Sequence, residues 1–397
     1  MVNACLRAAR LHDARSQKAL HALVYAQLSR EYRGLSSYVV CAMRDALAIL
    51  KAHRRRLKRR PNAAFPWVRR LFLKVDPSRF HLDPETGGVR LSIGNGSWVA
   101  FPVALSDWHR AQLASGKVGQ AVLREDRLVV TLTRRAPRPY VPRAVLALDT
   151  NEGSLDGALA GADGASLVTI PLGDVRAVQA RHFERRRRLA RKKAHDRRVK
   201  RRLLGREGGR ESNRVRSRLH LVSNAVVRAA KDQQAAIALE DLTGIKRFFS
   251  PRLNRRLSAW PHRELHRQVA YKALAAGVPL LHVDPRNTSK TCPRCDAIPK
   301  RRAGEAVFVC ARCGWSLDRQ LNAGLNILNR AIRGHPEALG GLWFDLDALR
   351  KDAVKPLYAP ASRAARAERS ARSPESAKAV DESRATTRRG TAQAATR

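Results

Sequence analysis

The chain has 397 residues, enough for two or three domains, and its 44% hydrophobic content can form a core although aromatics are only 5%. It carries 78 Lys+Arg against 34 Asp+Glu, formally +44; such an excess opposes compaction unless a polyanion neutralises it, so nucleic acid is the expected partner. No run of about 18 apolar residues occurs and MVNACLRAARLHDARSQ is broken by charges, which speaks against a membrane span or a secretory leader, and four of the six cysteines fall in CxxC pairs, the usage of a cytosolic chain.

Residues 1–60 read as helices: Leu20, Leu23, Val24 and Leu28 recur at helical spacing, as do Met43, Leu47 and Leu50, and the segment ends in HRRRLKRR. Cys5 and Cys41 lie in apolar helical settings and read as core thiols. From 65 to about 136 the period shortens. FLKVDPSRFHLD, GGVRLSIGNGSWVAFPV and DRLVVTLTR are short β-rich runs, with Asn95-Gly96 as a tight turn, and suggest a small antiparallel barrel. Pro137, Pro139 and Pro142 mark a boundary.

AVLALD (144–149) is an apolar strand ending in Asp149, and LDGALA and SLVTIPL suit the next two strands. A long helix is expected over 175–204, with thirteen Arg or Lys between Arg181 and Arg202. A second helix carries Val215, Leu219, Val222 and Val226 on one stripe. AAIALE (235–240) is a buried strand ending in Glu240, residues 262–276 look helical, and PLLHVD (279–284) is a strand. Beyond about 359 large apolar residues almost vanish and a disordered tail is expected.

Cys292, Cys295, Cys310 and Cys313 are spaced C-x2-C-x14-C-x2-C. Each CxxC turn supplies one edge of a tetrahedron, and two such turns at the ends of a short hairpin close a structural Zn²⁺ site. Iron in a four-sulfur site and disulfides are the alternatives. Asp149 and Glu240 both follow apolar β runs, so both can emerge at strand C-termini on one sheet edge, where active sites lie in open sheets. Carboxylates brought together there repel unless cations join them, and two Mg²⁺ ions could clamp the attacking and leaving oxygens of a phosphodiester. The alternative is capping: Glu240-Asp241 precedes a turn, and Asp318 is placed to cap the helix that follows it.

Within 181–202 only Glu184 and Asp196 offset the thirteen positive charges, which points to a nucleic-acid backbone as partner through Arg185, Arg186, Arg187, Arg188, Arg191, Lys192, Lys193, Arg197, Arg198, Arg201 and Arg202. Trp67, Trp98, Trp108 and Phe101 could stack bases, but core packing is the expectation.

From Val145 to Leu328, the order of VLALDTNEG, IALEDLTGI, YKALAAGVPLLHVDPRNTSKTCPRC, FVCARCG and DRQLNAGLNIL resembles the transposon-encoded TnpB proteins and the compact type V CRISPR effectors related to them. The resemblance implies an α/β plus β chain: an RNase H-like RuvC nuclease domain with an inserted zinc ribbon, preceded by a helical recognition segment and a small β-barrel wedge domain. Its implied boundaries are a helical segment at 1–62, the wedge at 63–140, and the nuclease domain at 141–290 with basic helices at 175–233. The target-binding zinc ribbon follows at 291–316, the final RuvC helix at 317–345, and a basic tail at 346–397.

It further implies an RNA-guided DNA endonuclease of the prokaryotic cytoplasm, associated with the nucleoid. Guide RNA and double-stranded target DNA would be its partners, with a short flanking motif read by the protein. Structural Zn and catalytic Mg would be its cofactors, and Asp149, Glu240 and Asp318 its acids.

Two departures from the family pattern stand out. The chain starts almost directly in helices where relatives open with a β-strand. Gln320 occupies the position, two before Asn322, where many relatives have the third acid, and the available acid is Asp318. Residues two apart on a helix point about 200° apart, so Asp318 can substitute only from the turn before the helix proper. A guide-bound DNA-binding regulator with a weak or dead nuclease is therefore the alternative reading. A zinc-ribbon RNA-binding protein without a guide is a third.

Overall fold

The computed structural model describes residues 1–162, 164–243, 259–299, 305–339, 342 and 344–358, the side chains of residues 200 and 201 excepted. The chain divides into two compact units, Met1–Arg135 and Ala136–Arg397.

In the first unit α1 (Val2–Leu11), α2 (Gln17–Glu31) and α3 (Ser36–Leu57) share a core of Leu6, Leu20, Val24, Leu28, Met43 and Leu50, in which Cys5 is also buried. The Ser16 hydroxyl accepts from Ala19 N at 3.1 Å and starts α2. The β-rich stretch forms two three-stranded antiparallel sheets. One comprises β1 (Phe72–Val75), β5 (Lys117–Arg124) and β6 (Leu128–Thr133), with β5 in the middle. The other is β2 (Phe80–Leu82), β3 (Gly88–Gly94) and β4 (Ser97–Pro102), with β3 central. Helix α4 (Asp107–Ala114) connects β4 to β5. In place of one continuous ladder, the two sheets share the apolar residues Val75, Phe80, Val89, Leu91 and Ala121. Asn95 and Gly96 both have positive φ (49° and 76°), as the turn between β3 and β4 demands.

The tryptophans depart from the core expectation. Trp67, Trp98 and Trp108 are 44%, 42% and 65% exposed. Strand β4 presents most of its residues to solvent, so its apolar content does not report a buried face.

The second unit is built on one six-stranded sheet. Strands β7 (Ala144–Thr150), β8 (Ser154–Gly161) and β9 (Gly164–Pro171) form an antiparallel meander. β10 (Ala235–Glu240) adds parallel to β7, and β11 (Leu280–Val283) adds parallel to β10. β14 (Val354–Pro356) closes the far edge beside β9. Leu146, Leu148, Ile237 and Leu239 point to one face. That face is covered by α5 (Val175–Arg191), α6 (Leu204–Asp232) and α7 (His262–Ala276) through Val178, Leu219, Val226, Leu265 and Val269. Val145, Ala147, Ala236 and Ala238 point to the other face. There α8 (Arg319–Gly334) and the ribbon hairpin β12 (Val307–Val309) and β13 (Ser316–Asp318) pack.

The small residues on this second face let α8 come close. A Cβ built on Gly324 would lie 2.2 Å from Gly157 Cα and 2.9 Å from Asp156 O. Backbone cannot yield as a flexible side chain does, so Gly324→Ala is expected to cost about 2–3 kcal/mol by forcing the helix off the sheet. Denaturant unfolding should read this as a lower midpoint, with a far-UV spectrum like that of the wild type.

The expected single helix over 175–204 is broken. α5 ends at Arg191, a turn follows, and a short π-helical stretch at Val199–Leu203 leads into α6. Consecutive like charges one turn apart oppose helix propagation, and the Asp196 carboxylate accepts from Arg198 N at 2.7 Å to restart the chain. Residues 359–397, which include most of the expected tail, lie outside the described residues.

Candidate functional site

Two chemistries converge beneath α8. The first is the cysteine cluster. Cys292 and Cys295 sit in one turn, Cys310 and Cys313 in the other, and all four Sγ atoms lie within 4.8 Å of one another. The Cys292–Cys313 and Cys295–Cys310 sulfurs are 3.5 and 3.6 Å apart. A tetrahedron with Zn–S bonds of about 2.3 Å has edges of about 3.8 Å, so the four sulfurs fit such an ion with small adjustment.

Burial pushes the Cys292 thiol up to about 12. At Cys310 burial acts the same way, but amide hydrogen bonds from the Cys313 and Arg312 backbones and the neighbouring thiols outweigh it and hold the group at about 7. Amides aimed at sulfur favour the thiolate that a metal binds. Phe308 and Trp315 form the buried floor, and Trp315 Nε1 donates to Asn322 Oδ1 at 3.2 Å, tying the ribbon to α8.

The second is a group of acids at the sheet edge. β7 and β10 are parallel, with Leu148 beside Leu239, so the next residues, Asp149 and Glu240, leave the sheet side by side on the α8 face. The Asp149 carboxyl is raised to about 7, first by burial and then by the charge of Glu240, with Asp156 adding to the repulsion and Asn151 opposing it. Glu240 is also raised by burial, while the Thr288 hydroxyl, donating to Oε1 at 2.5 Å, and the charge of Arg330 lower it. The Thr288 turn is held in turn by Asn326, whose Nδ2 donates to Thr288 O at 2.8 Å and Thr291 O at 2.7 Å. Behind Asp149, Thr150 Oγ1 lies 2.8 Å from His266 Nε2, an imidazole kept neutral by burial that lowers it to about 4.

The third expected acid is placed differently. Asp318 is the exposed N-cap of α8, and its Oδ1 accepts from Gln320 N at 2.8 Å and Leu321 N at 3.3 Å. The capping alternative describes what Asp318 does here. Among the described residues no hydrogen bond or ion pair joins it to Asp149 or Glu240, because the chain leaving β13 turns straight into the helix. Asp156 was not legible as a site residue, although the register could have revealed it. In a hairpin turning through 151–153, Thr150 pairs with Leu155 and Asp149 with Asp156.

The basic helix is less lopsided than its own sequence suggests. Glu207 and Glu211 of α6 pair with Arg185 and Arg186, Arg187 pairs with Glu184, and Arg198 with Asp196. Arg188, Arg191, Lys192, Lys193, Arg197 and Arg202 form no ion pair among the described residues, and the Arg201 side chain lies outside them. No helix among the described residues is long and apolar enough to cross a membrane.

Comparison with known proteins agrees with the motif order. The family model described as Cas12f1-like, TNB domain, matches residues 262–327, the stretch from α7 through the ribbon into α8. A TnpB-like protein of Methanocaldococcus jannaschii is 27% identical over 221 residues, 54% of this chain and 78% of that protein. The CRISPR-associated endodeoxyribonuclease Cas12f1 of Sulfoacidibacillus thermotolerans is 36% identical over 110 residues, 27% of this chain and 25% of that protein. A Cas12f1 chain solved in complex with sgRNA and target DNA superposes with a TM-score of 0.53 at 14% identity. The match covers 82% of this chain and 79% of that one, which shows a shared fold. The resemblance to TnpB-like proteins and compact type V effectors therefore holds in sequence and in fold.

Proposed function

We propose that this chain is a guide-RNA-directed DNA endonuclease, cutting double-stranded DNA beside a short flanking motif through a RuvC-type site, in a prokaryotic cytoplasm at the nucleoid. The observation that carries the reading is the pair Asp149 and Glu240, at the ends of adjacent parallel strands, on the face roofed by α8 and the cysteine ribbon. An antiparallel meander whose first strand is flanked by two further parallel strands is also the order of an RNase H-like core, which supports a nuclease. The similar Cas12f1 is named an endodeoxyribonuclease, and the superposable Cas12f1 was solved with sgRNA and target DNA, so guide RNA and target DNA are the partners proposed here. Residues 1–62 are assigned to recognition and 63–140 to the wedge, 141–290 and 317–345 to the nuclease, and 291–316 to the target-binding ribbon.

The donor set fits a hard cation. Asp149 and Glu240 offer only carboxylate oxygens and ion-pair with no Lys or Arg among the described residues, as a Mg²⁺ site requires. Among the described residues only the four cysteines bring three or more ligand atoms within 4.8 Å of one another. Divalent cations held there would stabilise the charge that develops on the attacking and leaving oxygens of a phosphodiester. Asp149 and Glu240 would hold them, with Thr288 orienting Glu240 and Asn326 keeping Thr288 in place. The side chains of Arg188, Arg191, Lys192, Lys193, Arg197 and Arg202, which form no ion pair among the described residues, grip the nucleic-acid backbone without reading sequence.

That last role has a direct test. Changing Arg188, Arg191, Lys192 and Lys193 together to Glu breaks no ion pair among the described residues, so the fold should survive. Affinity for a structured guide RNA should fall, and the slope of log K against log salt should shrink by about three. Salt-dependent filter binding measures both.

Gln320 on α8, with Asp318 used as a cap, favours a second reading: a guide-bound DNA-binding regulator with a weak or dead nuclease. Incubating the RNA-bound protein with guide-matched DNA and Mg²⁺ separates the two. Cutting supports the endonuclease, and tight binding with intact DNA supports the regulator.

A further inference from the structure

We propose that Asp156, on β8, supplies the third metal-holding carboxylate of the site, from the strand beside Asp149 rather than from Asp318 at the start of α8. The proposal rests on the reading of Asp149 and Glu240 as a divalent-cation site.

The strand register places Asp156 directly opposite Asp149 in the antiparallel β7–β8 pair, and directly opposed residues point to the same face. That face is the one on which Glu240 emerges from β10, so three adjacent strands each deliver one acid to the same edge. Like charges directly opposite one another destabilise a sheet. Asp156 and Glu240 are each only 7% exposed, so solvent does little to relieve them.

The arrangement is unusual for this chain in particular. It carries 78 Lys+Arg, yet among the described residues none forms an ion pair with Asp149, Asp156 or Glu240. The donors to Asp156 are all neutral: Thr169 Oγ1 reaches Oδ1 at 2.6 Å, Asn151 Nδ2 reaches Oδ2 at 3.2 Å, and the Ser154 hydroxyl also donates to Oδ2. These donors fix the carboxylate without cancelling its charge. Buried carboxylates persist when they are paired or coordinate a metal, and among the described residues no Lys or Arg ion-pairs with these three, Arg330 acting on Glu240 only through its charge.

The same geometry accounts for Gln320. Gly324 of α8 lies directly against Asp156 O and Gly157, and Gln320 is one turn earlier on the same helical face. An acid at 320 and an acid at 156 would therefore address the same edge from above and from within the sheet. With Asp156 in place, a second carboxylate at 320 would add repulsion. Asp318 is then left to cap the helix, which is what it does.

The test is Mn²⁺ titration of the zinc-loaded full chain, stripped of nucleic acid, by calorimetry and electron paramagnetic resonance. A chain of formal charge +44 offers divalent cations few other sites. Asp156→Asn should weaken Mn²⁺ binding by roughly tenfold or more, in step with Asp149→Asn, whereas Asp318→Asn should stay within about twofold of wild type. Gln320→Asp, added to Asp156→Asn, should restore binding, because it returns a carboxylate to the same edge. That rescue also shows that the Asn variant is folded. If Asp149→Asn loses Mn²⁺ while Asp156→Asn keeps it, Asp156 is a structural residue that ties β8 to β9, and the proposal fails. Loss of binding together with early melting and no rescue by Gln320→Asp has the same meaning. If Asp149→Asn and Glu240→Gln both bind Mn²⁺ like wild type, the underlying reading of the site fails instead.

Discussion

Asp149→Ala is expected to lower cleavage of a guide-matched DNA target by about a thousandfold or more while leaving binding of that target within a few-fold of wild type. The two effects separate because they depend on different groups. On the function proposed, cleavage depends on carboxylates that would hold charge-stabilising cations against the reacting phosphate, and loss of a preorganised electrostatic element of this kind typically costs two to three orders of magnitude or more. Binding, on the same proposal, depends on guide pairing and on basic side chains such as Arg188, Arg191, Lys192 and Lys193, which lie on or just after α5 and not at the acid edge.

Stability should move in the opposite direction. The Asp149 carboxyl is raised to about 7 by burial and by Glu240, so its ionisation opposes folding. That cost is absent below the ordinary carboxylate range and complete above about 7. In chelator at pH 8 the Ala variant should therefore melt no lower than wild type, and its advantage should vanish near pH 4. A variant that still cuts at the wild-type rate would remove Asp149 from the site, and one that fails to bind the target would point to misfolding.

The second large effect concerns the ribbon. Purified protein should hold about one zinc per chain, and Cys310→Ser should lose it. A structural zinc with four sulfur ligands is part of the folding free energy of its own module. Here the module is not isolated: Phe308, Cys310 and Trp315 belong to the same buried cluster as Leu321, Leu325 and Leu328 of α8. Loss of the ion should therefore loosen the N-terminal half of α8 and, with it, the Asn326–Thr288–Glu240 chain of hydrogen bonds.

The readout is the fluorescence of Trp315, 2% exposed, taken as the difference between wild type and Trp315→Phe. Its emission should shift to the red on chelation, and guided cleavage should fall with it. The helices and paired sheets of Met1–Arg135 share no residue with this cluster and should keep their melting transition. Metal analysis finding neither zinc nor iron in folded protein would overturn the assignment.

The local chemistry of this protein could be read directly from its sequence. Two CxxC turns at hairpin spacing specify a four-thiolate pocket wherever they fold. VLALD and AIALE are apolar runs that end in an acid, and such runs become buried strands that deliver the acid to the end of the sheet. The positive-φ turn at Asn95-Gly96 and the helix over 262–276 were legible for the same reason, since their signals lie within one turn or one period. The resemblance to TnpB-like proteins rested on such segments taken in order.

What only the tertiary structure decided is which distant segments meet. That Asp156 lies opposite Asp149 depends on the β7–β8 register, in which a shift of one residue would turn it to the opposite face. Glu207 and Glu211 neutralise Arg185 and Arg186 from another helix, so counting charges along α5 alone overstated its excess. Trp98 is exposed because β4 lies at the edge of a small sheet, although its sequence has the apolar content of a buried strand. Asp318 could be read as a cap or as a ligand until the path leaving the ribbon was known, because both roles need an acid just before a helix. Periodicity and spacing act over a few residues and are written in the chain, whereas register and docking are settled by packing between parts that sequence order keeps apart.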